Sequence, residues 1–177
     1  NNKKIIIYEH NRGDNKDVLI RNIKLCDTII HLACINRPKK NQSFKDNLIL
    51  TKTICENINS NKKTEIIFAS TYHLDSSKKK SLLLKEYCKI KKNEEEKIIK
   101  EFSNYNNKYY IFRLPNVVGK WCKPNYNSVV STFCHNILNN KKSKIINKNN
   151  ILNIVSIDSV IDNFQQIINN NIKSGIK

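Results

Sequence analysis

The stretch EIIFAST, Glu65 to Thr71, continues through YHLDSSKKKSLLLKEYCKIK to Lys91. Glu65 to Phe68 is a short, apolar, β-branched run that ends in Ala69-Ser70-Thr71. A buried parallel strand reads this way when it delivers hydroxyls at its carboxyl end. Sixteen positions after Thr71 comes Tyr87, and four after that Lys91, inside a segment from Ser81 to Phe102 that reads as helix. Residues i and i+4 share a helix face, so a phenol and an ammonium can point into one cleft. A nearby cation favours phenolate, so Lys91 is expected to lower the proton affinity of Tyr87. With a strand-end hydroxyl facing them, such a trio can protonate a carbonyl oxygen. The alternative for the same residues is a solvated, Lys-rich helix face, because one Tyr-x-x-x-Lys match carries little by itself.

The same alternation extends in both directions. Upstream, Lys4 to Glu9 (KIIIYE) reads as a parallel strand, His10 to Asp14 as the turn after it, and Asp17 to Leu25 as a short helix. Cys26 to Ala33 is the next buried strand. Cys34-Ile35-Asn36-Arg37-Pro38 leaves it as a loop, since Pro38 cannot continue the ladder. Ser43 to Asn59 is helical, with Asn47 on its first turns. Downstream, Lys108 to Leu114 is a strand and Pro115 to Asn127 a polar loop holding the chain's one Trp, Trp121. Ser128 to Leu138 is a helix, Lys144 to Ile146 a short strand and Ile151 to Ile157 another, with Asp158 as the expected N-cap of a helix to Asn169. Strands alternating with helices specify an α/β domain with a parallel sheet. Ligands of such sheets sit outside the carboxyl ends of the strands, which is where the polar clusters after Glu9, Ala33, Ala69 and Leu114 fall.

A chain of 177 residues suits one domain with a real core. The formal charge of +17 does not indicate nucleic acid: most of the excess is Lys spread along the whole chain, without interleaved stacking aromatics or zinc-finger or helix-turn-helix spacing. It is read as compositional bias, with some attraction for anionic nucleotides. The six cysteines (Cys26, Cys34, Cys55, Cys88, Cys122, Cys134) form no C-x-x-C, so neither a zinc site nor a disulfide framework is expected. No leader and no apolar run near about 18 residues is present, which points to no membrane association and to a cytoplasmic chain with reduced thiols. The sequence begins without Met, as a fragment would.

HLACINRP (His31 to Pro38), Asn47, FAST ending at Thr71, Tyr87-x-x-x-Lys91 and RLPNVVGKWCKPNYNSVVSTFCHN (Arg113 to Asn136) stand in one order. That order resembles the extended short-chain dehydrogenase/reductases, the NAD-dependent epimerase/dehydratase family of nucleotide-sugar enzymes, over almost the whole chain. Within that family it is most similar to reductases of UDP-linked 4-keto-6-deoxy-N-acetyl-hexoses used for capsular polysaccharide. The resemblance implies a Rossmann-like fold, NADPH as cofactor (NADH or NAD as alternatives), a UDP-sugar substrate and a homodimer paired through the helices at Ser43–Asn59 and Ser81–Phe102. It implies that Tyr87 gives the proton to the C4 oxygen, that Lys91 holds the nicotinamide ribose, and that Thr71, or less readily Ser70, hydrogen-bonds the carbonyl. Leu32, Ala33 and Leu114 would line the cofactor, with Asn47 supporting it or the catalytic helix. Arg12, at the end of the first strand in this chain, would accept a 2′-phosphate. Arg37, Asn116, Lys120, Trp121, Tyr126, Asn127 and His135 would belong to the sugar-nucleotide pocket, in the portion from 114 to 177 for all but Arg37. A 4-epimerase or dehydratase of the same fold, or a non-catalytic fragment, are the alternatives.

Two departures accompany the resemblance. The family opens with a strand and a Gly-x-x-Gly-x-x-Gly turn, whereas the glycines here are Gly13, Gly119 and Gly175. The sheet is therefore expected to lack its first strand and glycine-rich turn, with a gap between the strands at Ile5 and Ile29. Cys34 also stands where the family usually has Gly.

Overall fold

The computed structural model describes residues 5–58, 62–76, 81–145, 149, 151–169 and 173–177. They fall into two compact units, Asn1–Arg113 with Ser174–Lys177, and Leu114–Lys173.

The first unit carries helix α1 (Lys16–Leu25), strand β1 (Thr28–His31), helix α2 (Lys45–Glu56), strand β2 (Glu65–Thr71), a single 3-10 turn (Tyr72–Leu74), helix α3 (Leu82–Asn104), strand β3 (Tyr109–Leu114), whose last residue opens the second unit, and strand β6 (Gly175–Ile176). The strands lie in the order β1-β2-β3-β6. β1 and β2 pair in parallel with Thr28 opposite Glu65 and His31 opposite Phe68, and β3 pairs in parallel with β6. The β2–β3 neighbours are tied by Ile66 N donating to Lys108 O at 3.1 Å. β2 is buried along most of its length, as a strand of alternating α/β units must be.

α1, α2 and α3, with Ile58 just past the end of α2, supply the core: Ile23, Ile54, Cys55, Ile58, Ile98 and Phe102 close over Ile66, Phe68 and Ile111. Two of these three helices are capped by their own side chains. Asn15 accepts from Asp17 N at the start of α1, and Ser81 accepts from Leu84 N at the start of α3. α2 opens at Phe44 without such a side-chain bond.

The second unit holds strand β4 (Asn116–Val118), helix α4 (Val129–Leu138), strand β5 (Ile154–Ser156) and helix α5 (Ile157–Ile168). β4 and β5 pair in parallel, Asn116 opposite Ile154.

Several expectations need correction. Lys4 lies outside the described residues, and Ile5 to Glu9 form no strand: Ile5, Ile6 and Ile7 are 71%, 67% and 77% exposed. β-branched composition favours a pleated surface, but a strand exists through its ladder partners, and no described strand accepts this stretch. The segment from Pro115 is not wholly loop, because Asn116–Val118 pairs with β5. Lys144 and Ile145 are not in a strand, and Ile146 lies outside the described residues. Helix α5 is capped by Ser156, whose hydroxyl accepts from Ser159 N, and Asp158 sits in its first turn, where a carboxylate meets the positive end of the helix.

Candidate active site

Helix α3 carries three ionisable side chains on its buried stripe. Lys91, Glu94, Glu95, Ile98 and Phe102 follow one another at spacings of one, three and four residues, and all five are buried. Three charges on the core face of a helix need partners, since unpaired burial of a charge is costly. The ends of β1, β2 and β3, and helix α2, provide them.

Lys91 is 1% exposed and Glu94 0%. The Lys91 Nζ donates to the Ala69 carbonyl at 3.1 Å, lies 3.3 Å from Glu94 Oε2 and stands 4.4 Å above the centre of the Phe68 ring. The other carboxylate oxygen of Glu94 accepts from Thr51 Oγ1 on α2 at 2.7 Å. Thr51 in turn meets His31 Nε2 at 3.0 Å; with its own hydrogen committed to Glu94, it is the acceptor and His31 the donor. Burial, then the charge of Lys91, depresses the His31 pKa from 6.5 to about 3, so the imidazole is neutral. Burial raises the Glu94 carboxyl above its ordinary value, and Lys91 and the Thr51 hydroxyl oppose that rise.

Glu95 serves a second cluster. It accepts from the Ser70 hydroxyl and receives Arg113 in two-pronged fashion, Nε to Oε1 at 3.2 Å and Nη2 to Oε2 at 2.6 Å, while Arg113 Nη1 reaches Asp75. This clamp joins the ends of β2 and β3 to α3 and holds the Arg113 pKa up, chiefly through Glu95. Ser70 is thereby committed to the scaffold. Thr71 is buried, and its Oγ1 accepts from His73 N at 3.3 Å.

Tyr87 lies one turn before Lys91 and is half-buried. Its hydroxyl is 3.8 Å from Cys34 Sγ and its ring packs on Phe44 with centres 5.5 Å apart. No described hydrogen bond joins it to Lys91. Burial first, then Cys34, Glu94 and Cys88, push the phenol well above its ordinary range. This corrects the expectation that Lys91 lowers it: the ammonium is turned toward Ala69 and Glu94, and burial governs the phenol.

The loop after β1 is stapled by Asn47. Its Oδ1 accepts from Ile35 N at 2.7 Å, and its Nδ2 donates to Ile35 O at 2.9 Å and Cys34 Sγ at 3.6 Å. Both ends of the amide hold protein, so the structure shows Asn47 fixing the loop. Leu32, Ala33 and Arg37 are exposed around that loop. Arg12 is exposed in a turn closed by Asp14, which accepts from Asn11 N at 2.6 Å; Gly13, at φ +98°, supplies backbone that other residues rarely adopt.

The second unit carries the other candidates. Leu114 is half-buried at the end of β3, and Asn116 Nδ2 donates to Asn153 O at 3.0 Å. Lys120 and Asn127 are exposed, as are Trp121 at 98% and Tyr126 at 51%. Trp121 has φ +67° and Asn125 +55°, so the loop holds two strained residues around an uncovered indole. Its exit is pinned by Thr132 Oγ1 accepting from Asn125 N at 2.9 Å. His135 is half-buried in α4 and lies near the Asn139 amide at 3.4 Å.

Sequence reasoning missed Glu94, Glu95, Thr51 and His31. The available signal was Lys91-x-x-Glu94-Glu95 falling on the same stripe as Ile98 and Phe102. Among the described residues there is no His, Cys, Asp and Glu group arranged for a metal ion, and no helix is long and apolar enough to cross a membrane.

A parallel sheet flanked by helices, with a Tyr and a Lys one turn apart on the helix after a hydroxyl-ended strand, defines a Rossmann-like α/β protein of the short-chain dehydrogenase/reductase kind. Comparison with known proteins gives the particular group: residues 6–173 match the NAD dependent epimerase/dehydratase family, and the chain belongs to it. It is 35% identical over 164 residues to the UDP-2-acetamido-2,6-beta-L-arabino-hexul-4-ose reductase of Pseudomonas aeruginosa, covering 92% of this chain and 41% of that protein. Its fold superposes on the capsular polysaccharide assembling protein CapF of Staphylococcus aureus with TM-score 0.75 and 28% identity, over 97% of this chain and 46% of that one. A UDP-glucuronic acid 4-epimerase of Bacillus cereus, solved with UDP-glucuronic acid and NAD, shares the fold at TM-score 0.72 and 18% identity, over 93% and 55% of the two chains. The chain thus spans less than half the length of the reductase and of CapF.

Proposed function

We propose that this chain carries the proton-donating centre of an NADPH-dependent reductase of a UDP-linked 4-keto-6-deoxy-N-acetyl-hexose, in the supply of surface polysaccharide precursors. Similarity to a reductase of that kind across 92% of the chain, with Tyr87 and Lys91 one turn apart on α3, is the observation that carries the reading. In the epimerase alternative the same phenol carries the proton, and net oxidation of NADPH in the presence of the keto-sugar separates the two readings.

The residues fit the nicotinamide-ribose end of such a cofactor: a half-buried phenol, a buried ammonium one turn on, and a stapled loop at the end of β1. A glycine turn for the pyrophosphate is not among this chain's three glycines. When bound, the cofactor supplies a hydride for C4 of the sugar. Tyr87 supplies the proton for the C4 oxygen, and the resulting phenolate is reprotonated from solvent. Thr71 positions the carbonyl through its hydroxyl hydrogen. Lys91 holds the ribose and offsets the negative charge left on Tyr87. Arg12 recognises the 2′-phosphate, and the exposed indole of Trp121, with Lys120, Tyr126, Asn127 and His135, receives the sugar nucleotide.

The test is Tyr87→Phe. Turnover of NADPH with the keto-sugar should fall by about 10²-fold or more while NADPH still binds. Retained turnover would refute the assignment of the proton donor.

A further inference from the structure

The position of Lys91 carries a consequence for its partner Glu94, which the reading above leaves unused. An ammonium has three N–H bonds. Here the Nζ is engaged by the Ala69 carbonyl at 3.1 Å, by Glu94 Oε2 at 3.3 Å and by the face of Phe68 at 4.4 Å. None of these is a ligand, and none is Tyr87. Glu94 is itself held: Oε1 takes the Thr51 hydrogen at 2.7 Å, and Thr51 is fixed from behind by His31. Oε2 has no aligned hydrogen-bond donor, only the charge contact with Lys91. Four elements, β1, α2, α3 and β2, thus converge to keep one lysine at the floor of the site.

We propose that Glu94 is a positioning residue, a latch whose carboxylate draws the Lys91 ammonium down against Ala69 and away from Tyr87, and which must yield that ammonium when the cofactor ribose engages it. The inference rests on the reading that Lys91 serves the cofactor, but the latch itself is a property of the unliganded chain. A protein that has to break a contact before binding shows an affinity reduced by the fraction of molecules in the competent state.

The latch is read by competitive acetylation of amines with acetic anhydride, followed by peptide mass spectrometry, with exposed Lys85 as the internal reference. In the parent protein Lys91 should be strongly protected. In Glu94→Gln the ammonium loses its counter-charge and is free to move into the cleft, which raises its reactivity by about tenfold or more relative to Lys85. Glu94→Asp, which keeps the charge, should restore much of the protection. Thr51→Val, which removes the hydrogen bond to Oε1, should move Lys91 the same way as Glu94→Gln by a smaller factor. Equal Lys91 labelling in the parent and in Glu94→Gln of unchanged circular dichroism overturns the proposal. If Glu94→Gln does not fold, equal labelling in the parent and Thr51→Val overturns it instead.

NADPH titration separates the latch from the functional reading. Tighter binding by Glu94→Gln, by about tenfold, supports both. Exposure of Lys91 without NADPH binding to either protein sinks the reductase reading and leaves the latch standing. Binding of NADPH with Lys91 labelling unmoved does the reverse.

Discussion

His31→Gln tests the buried polar chain at its far end. The parent imidazole is neutral in the fold, with a pKa near 3 against 6.5 for the free side chain. An unfolded chain therefore takes up a proton between pH 6.5 and 3 that the folded chain refuses. Stability from this group is fully present above pH 6.5 and is lost as pH falls toward 3. At pH 4.5 the loss is about RT ln 100, or ~3 kcal/mol, and the slope below pH 6 is ~1.4 kcal/mol per pH unit. Glutamine can still donate to Thr51 Oγ1 but does not titrate, so the variant should lack that slope. The assay is urea unfolding followed by far-UV circular dichroism from pH 7 to 4.5, for parent and variant. Taking the difference cancels the other acids, including Glu94, whose raised pKa works in the opposite direction. Parallel stability curves between pH 6 and 4.5 would show that His31 is not held neutral by its surroundings.

Three further outcomes follow from other parts of the molecule. Glu95→Gln removes the charge that Arg113 grips and should cost about 3 kcal/mol, at the low end for a buried pair because Arg113 is 24% exposed; a loss below ~1 kcal/mol in urea unfolding would class the clamp as a surface pair. Gly119→Ala would drive a Cβ into Ile157 Cγ2, an overpacking worth about 1–3 kcal/mol, and Ile157→Ala should recover part of the fall in Tm; no fall at all would refute the close approach. Arg12→Ala should weaken NADPH more than NADH, and an equal effect on both Kd values would remove Arg12 from 2′-phosphate recognition.

The alternation of elements was legible because its strongest segments satisfy local and tertiary demands together. EIIFAST is β-branched and also buried, and Ser81 to Phe102 has a cap and a helical stripe, so both appear within two residues of the expected bounds. Two short strands were not legible. Asn116–Val118 and Gly175–Ile176 owe their state to the neighbours they pair with, β5 and β3, rather than to three or two residues of propensity. The reverse holds at Ile5–Ile7, where propensity is high and pairing is missing. At the site, Tyr87 and Lys91 could be found by spacing, but the direction in which Lys91 turns could not. That direction depends on Glu94, Thr51 and His31, which lie on three elements and meet only after folding. Glu94 and Glu95 look, in a row of charges, like a solvated helix face.

The uncovered indole of Trp121 makes the protein report optically on one place alone. It is the chain's single Trp and is 98% exposed, so its emission already resembles that of indole in water. Denaturation can hardly redden it further, and a fluorescence melt would therefore be nearly silent while the core around Phe68 and Phe102 comes apart. A base or sugar ring laid on that indole would shift the emission to the blue. In this chain tryptophan fluorescence is thus a gauge of whatever comes to cover the 120–127 loop, and a poor gauge of folding.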